Sequence, residues 1–149
     1  MRVLLALEAN AAGEEIARAA AVRPWPSGSS FCLLNVVDPY PLPLVDVAKK
    51  EARKSLGKAA AYLSAAGWPT QIEVMIGSSR RIIHRFAKDW QADLVMVGSH
   101  GLSAVTRLFM GSTAQSVLRH TPCSVEIVQA RPGDEKSRER PMRILASTD

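Results

Sequence analysis

The chain has 149 residues, of which 47% are hydrophobic and 22% charged, a balance that supports one domain with a core of its own and excludes disorder as its organising state. Aromatic residues make up only 5%, so the apolar mass is aliphatic and suits helices packed on a buried sheet better than an all-β sandwich. The formal charge is +5, but its carriers (Lys49-Lys50, Arg80-Arg81 and a cluster from Arg131 to Arg143 that also holds Asp134, Glu135 and Glu139) have no interleaved aromatics. That excludes a stacking surface for nucleic acid, and the expectation is no nucleic-acid partner.

Val3-Leu4-Leu5-Ala6-Leu7 is a continuous apolar run, the pattern of a strand buried on both faces. It is too short for a signal sequence or a membrane span, so a cytoplasmic protein without a membrane partner is expected. Glu14 to Ala21 is alanine-rich and helical, and stops before Arg23-Pro24-Trp25-Pro26. Ser27-Gly28-Ser29-Ser30 turns the chain into a second strand, Phe31 to Val37, and Pro39, Pro41 and Pro43 then prevent any regular ladder.

A long helix is predicted over about Val45 to Ala66, with Val45, Ala48, Ala52, Leu56, Ala59, Ala60 and Leu63 at helical spacing and Gly67 as its C-terminal stop. Gln71 to Ile76 reads as a third strand. Ile82, Ile83, Phe86 and Trp90 mark one face of a third helix, and Asp93 to Val97 reads as a fourth strand. Ser112 to Arg119 reads as helix, Thr121-Pro122 breaks it, and Ser124 to Val128 makes a fifth strand. Cys32 and Cys123 sit in apolar, strand-like surroundings and are expected to be buried reduced thiols; with three scattered histidines they make no zinc spacing.

Alternating strands and helices imply right-handed crossovers and a doubly wound, Rossmann-like α/β domain: a five-stranded parallel sheet with helices on both faces. In such sheets ligands sit beyond the carboxyl ends of the strands. The segments after Leu7, Val37 and Val97 are therefore where a site belongs. The third of these is rich in the right residues. Val97-Gly98-Ser99-His100-Gly101 is followed by nine residues, Leu102 to Met110, and then by Gly111-Ser112-Thr113. Gly98 and Gly101 permit tight turning and close backbone approach, while Gly111-Ser112 opens a helix whose free N–H groups favour an anion. No G-x-x-x-x-G-K-[ST] loop occurs, and no G-x-G-x-x-G follows the first strand.

Gly98-x-x-Gly101, nine residues, Gly111-Ser112 resembles the G-2x-G-9x-G-[S/T] pattern of the universal stress protein family, and the flanks Ala92 to Gly98 and Ser116 to Val125 resemble it too. The resemblance covers roughly Met1 to Val128 and implies a sheet of the adenine nucleotide alpha hydrolase-like kind, a homodimer, and bound ATP or possibly ADP or AMP. It places phosphates at Gly98, Gly101, Gly111 and Ser112, with Thr113 beside them, His100 along the phosphate or ribose path, and Val37 against adenine. Leu7 and Val97, which close their strands, are counted with the nucleotide-binding residues. Where the family has Asp near the ribose, phosphates and metal, this chain has Glu8, in Glu8-Ala9-Asn10 rather than Asp-Gly-Ser. Mg²⁺ or Mn²⁺ is expected with the nucleotide, reached by Glu8, with binding retained and metal coordination altered.

No catalytic residue is expected. His100 lacks an orienting carboxylate in nearby sequence, and Ser99, Ser112 and Thr113 lack an activating base. Arg107 reads as solvent-facing, with a phosphate contact as its alternative. The rival readings are a nucleotide-free homodimeric interaction module and a slow ATPase. The fifth strand is expected at a sheet edge, with Val125, Ile127 and Val128 as the dimer edge. The domain is expected over residues 1–130, followed by a charged linker and strand-like tail over 131–149. Met142 to Asp149 repeats the style of Met1 to Glu8, either as the start of a second domain or as an added strand.

Overall fold

The computed structural model describes residues 1–99 and 110–129. Five strands, β1 (Arg2–Ala6), β2 (Ser30–Val37), β3 (Thr70–Ile76), β4 (Leu94–Gly98) and β5 (Ser124–Val128), alternate with four helices, α1 (Ala11–Ala21), α2 (Val45–Ala65), α3 (Ser79–Asp89) and α4 (Ser112–His120). The strands form one sheet in the order β3-β2-β1-β4-β5, and every neighbouring pair is parallel. The expected Rossmann-like α/β architecture is the observed one. Winding proceeds outward from β1 through β2 to β3, then returns to β4 on the other side of β1. The switch point is thus the carboxyl ends of β1 and β4.

The apolar run of β1 is continuous because both of its faces are covered. Val3, Leu5 and Leu7 pack with Ile16, Ala17 and Ala20 of α1 and Leu56 and Leu63 of α2. Leu4 and Ala6 face the opposite way, toward Ile82 and Ile83 of α3 and Ala114 and Val117 of α4. The edge strand β3 instead alternates, with Gln71 and Glu73 exposed between more buried residues. Helix α2 ends as its sequence indicates: Ala66 is the C-cap and Gly67 follows at φ +85, a left-handed position that suits glycine.

Several boundaries differ from the sequence expectation. Helix α1 starts at Ala11 rather than Glu14, because Asn10 caps it: the Asn10 side chain accepts a hydrogen bond from the Gly13 N–H. Cys32 is buried as expected, but Cys123 is only half-buried, since it lies just before the edge strand β5. Residues 131–149, the linker and tail, lie outside the described residues.

The ion pair of the described residues was not foreseen. Arg23, just beyond α1, donates to both carboxylate oxygens of Glu126 in β5 at 2.7 and 2.8 Å, and Glu126 is 5% exposed. The Arg23 guanidinium also stands over the Trp25 ring, 5.7 Å from its centroid. A carboxylate on the inner face of an edge strand is tolerated there because a bidentate cation covers it.

Candidate functional site

Three strand ends make the floor and one wall of a rim. Ala6 pairs with Leu34 on one side and Val97 on the other, and Gly98 pairs with Val128. Strand β2 continues past the end of β1, through Asn35 to Val37, and so rises above the floor. Buried Asn35 donates from Nδ2 to the Leu7 carbonyl at 2.8 Å, tying the exit of β1 to this wall. Val37 closes β2, Leu7 stands one residue beyond β1 and Val97 one residue before the end of β4, and all three are buried.

The two described ends of the glycine-rich segment, Gly98-Ser99 and Met110-Gly111, meet at the same rim. Gly98 belongs to the β4 ladder and the bend follows at Ser99; the expected tight turn at Gly98 is thus corrected, because pairing with β5 keeps this residue extended. The Ser99 N–H donates to the Val128 carbonyl at 2.9 Å, and the Gly111 N–H donates to the Ser99 carbonyl at 2.8 Å. That second bond closes the loop and sets the two glycine-bearing ends side by side. His100, Gly101 and Arg107 lie outside the described residues.

Helix α4 opens on this closure without a side-chain cap. Gly111 is its N-cap residue, at φ −59 and ψ 150, so Ser112 stands inside the first turn and does not cap the helix. No acidic residue lies in the first turn, while Arg119 and His120 lie in the last. Among the described residues, then, no side chain caps the first N–H groups of α4 and no acid offsets the positive dipole end at the rim, an arrangement that favours an anion. His120 keeps to the far end, its Nδ1 at 2.9 Å from the Ser116 carbonyl oxygen.

On the β1 side of the rim the Glu8 side chain is exposed, and its Oε2 accepts from Asn10 Nδ2 at 2.8 Å. Gly13 is buried in the first turn of α1, where a Cβ would run into the Glu8 carbonyl oxygen. Asn10, Gly13 and Asn35 were missed as site-forming residues. Asn10 had a legible signal, an Asn just before a helical run; the other two answer to contacts made only in the fold. Among the described residues no group of three or more His, Cys, Asp or Glu gathers to hold a metal ion. The thiols offer no nucleophile: burial pushes Cys32 up to about 11, and burial raises Cys123 too.

Comparison with known proteins accords with this geometry. The profile described as the Universal stress protein family matches residues 1–129. The chain belongs to the universal stress protein family. A universal stress protein of Synechocystis sp. is 38% identical over 79 residues, which cover 53% of this chain and 51% of that relative. This chain thus aligns with about half the length of that relative. Among solved structures, a universal stress protein from Archaeoglobus fulgidus superposes with a TM-score of 0.74 at 20% identity, covering 87% of this chain and 98% of that one. The Archaeoglobus protein in complex with dAMP gives 0.69 at 19% identity, covering 87% and 98%. A family member from Arabidopsis thaliana with AMP bound gives 0.65 at 18%, covering 93% and 97%. Adenine nucleotide binding is thus a property of members of the family. No helix among the described residues is long and apolar enough to cross a membrane.

Proposed function

We propose that this universal stress protein holds an adenine nucleotide, read as ATP with ADP and AMP as alternatives, and uses it to regulate rather than to turn it over. The observation that carries this reading is the hydrogen bond from Gly111 to Ser99, which sets the uncapped start of α4 against the end of β4 at the switch point of the sheet. Phosphates would lie on the N–H groups of Ser112 and Thr113, with Gly98 and Gly111 beneath and Gly101 and His100 completing the loop. The base would lie against Val37, between the β2 wall and the ends of Leu7 and Val97. The AMP and dAMP complexes of family members support an adenine nucleotide as the ligand.

Mg²⁺ or Mn²⁺ would arrive with the nucleotide. A lone carboxylate, Glu8, fits a hard cation whose other ligands are phosphate oxygens and water, and does not suffice to hold one alone. Regulation would work by linkage, the nucleotide stabilising the state that binds it. A homodimer through the edge strand β5, with Val125, Ile127 and Val128 along it, is part of the proposal, and the position of β5 at one end of the sheet order supports it. A cytoplasmic location completes it.

The test is calorimetric titration of ATP with Mg²⁺ into nucleotide-stripped protein and into Gly111→Val. Saturable binding that the variant lacks is the expected result. An intact protein that binds no ATP would leave the nucleotide-free homodimeric module as the reading.

A further inference from the structure

Asn10 is bonded through both its backbone and its side chain where the chain leaves β1 and enters α1. Its backbone N–H donates to the Glu8 carbonyl at 2.9 Å, its Oδ1 accepts from the Gly13 N–H at 3.1 Å, and its Nδ2 donates to Glu8 Oε2 at 2.8 Å. The two side-chain bonds need an acceptor toward the helix and a donor toward the carboxylate, on one short planar group. Asn supplies both; an ionised Asp only accepts, and Ser caps but is shorter. The amide orientation is settled by its partners, since the Gly13 N–H requires an oxygen and the carboxylate requires a donor.

Glu8 needs such a hold. Its chain is one methylene longer than that of Asp, it is exposed, and among the described residues no Lys or Arg pairs with it. Left free, it would sample several rotamers, and ordering them would weaken the binding of every ligand it touched. The backbone beneath it is already fixed, because Asn35 holds the Leu7 carbonyl and the bare Cα of Gly13 lets α1 press on the Glu8 carbonyl.

We propose that Asn10 is a positioning residue: it engages Glu8 Oε2 and so presents Oε1 over the rim as a pre-oriented acceptor for a sugar hydroxyl of the bound nucleotide. This rests on the nucleotide reading above. A hydroxyl needs only one such acceptor, whereas a cation reaching Glu8 would have to bring its other ligands, phosphate oxygens and water, with it, because one oxygen is already engaged and no group of three or more metal-ligating side chains occurs among the described residues.

Reversing the polarity of the pair tests the idea. Asn10→Asp keeps the acceptor that caps α1, so its melting temperature should stay within about 2 °C of the parent, yet it loses the donor to Glu8. Glu8→Gln turns a donor outward in place of the acceptor. Each single change should weaken ATP binding about five- to tenfold. In the double variant the new amide at position 8 would donate to the new carboxylate at position 10 and again present its oxygen outward, so affinity should recover to within about twofold of the parent. With 2′,3′-dideoxy-ATP the differences should shrink to the effect of the charge each single change adds or removes, and the parent and the double variant, equal in charge, should bind it alike, because the hydroxyls are gone. Losses that persist undiminished with the dideoxy nucleotide, a double variant as weak as the singles, or single variants that bind ATP like the parent would each overturn the inference while leaving nucleotide binding intact. A parent protein that binds neither nucleotide would overturn the nucleotide reading and this inference with it.

Discussion

Two helices start at the same rim of the sheet and finish their first turns in opposite ways. At α1 the chain satisfies itself: Asn10 caps the helix and ties down Glu8, and Gly13 closes the remaining gap. At α4 the chain stops short. Gly111 brings no side chain, no acid lies in the first turn, and among the described residues the entrance is held by the Gly111 bond to Ser99 and by the Gln115 side chain on the Met110 carbonyl. The difference teaches that a closed corner orients and an open corner receives. Unsatisfied N–H groups at a helix start seek a partner; at α4 no side chain among the described residues caps them, and the proposed nucleotide would be that partner.

The contrast is sharpest at Gly13. Gly13→Val would drive a side chain into the Glu8 carbonyl and should cost on the order of 3 kcal/mol in urea denaturation. A midpoint like that of the parent would mean the α1 corner is not tight, and the comparison would break. Asn10→Ala removes the cap and should cost about 1 kcal/mol by the same measurement. The smallest change in stability should come from supplying the missing cap on the other side. Gly111 has extended dihedrals that any residue can adopt, so Gly111→Asp should gain only a few tenths of a kcal/mol. Its carboxylate would nevertheless occupy the N–H groups proposed to hold phosphate, and ATP affinity should fall roughly tenfold or more. A stabilised variant that still binds ATP like the parent would show that the open corner is not where the anion sits.

The sequence reading and the structure agree where a signal is local. The run Val3 to Leu7, the helical spacing through α2 and the stop at Gly67 are set by burial period and by the conformational freedom of glycine, both of which act over a few residues. The convergence of Gly98 and Gly111 was legible as well, since two strand-and-helix boundaries with glycine were already known to face one end of the sheet. Missed were residues whose role depends on a neighbour brought from afar or on geometry within the turn. Gly13 reads as a weak helix residue until the Glu8 carbonyl stands against it, and Asn35 reads as a polar interruption of β2 until it meets Leu7.

By itself, then, the order of apolar runs, glycines and breaks determined the element types, the α/β class and the end of the sheet on which the rim lies, because these follow from short-range periodicity and from the handedness of βαβ crossovers. Only the tertiary structure decided which side chains meet. Arg23 and Glu126, 103 positions apart in the chain, form a bidentate pair at the edge strand, and Asn10 divides its two hydrogen-bonding ends between a helix and a carboxylate. Such pairings are set by packing and by the demand that buried or oriented polar groups find partners, and no period in the sequence carries that information.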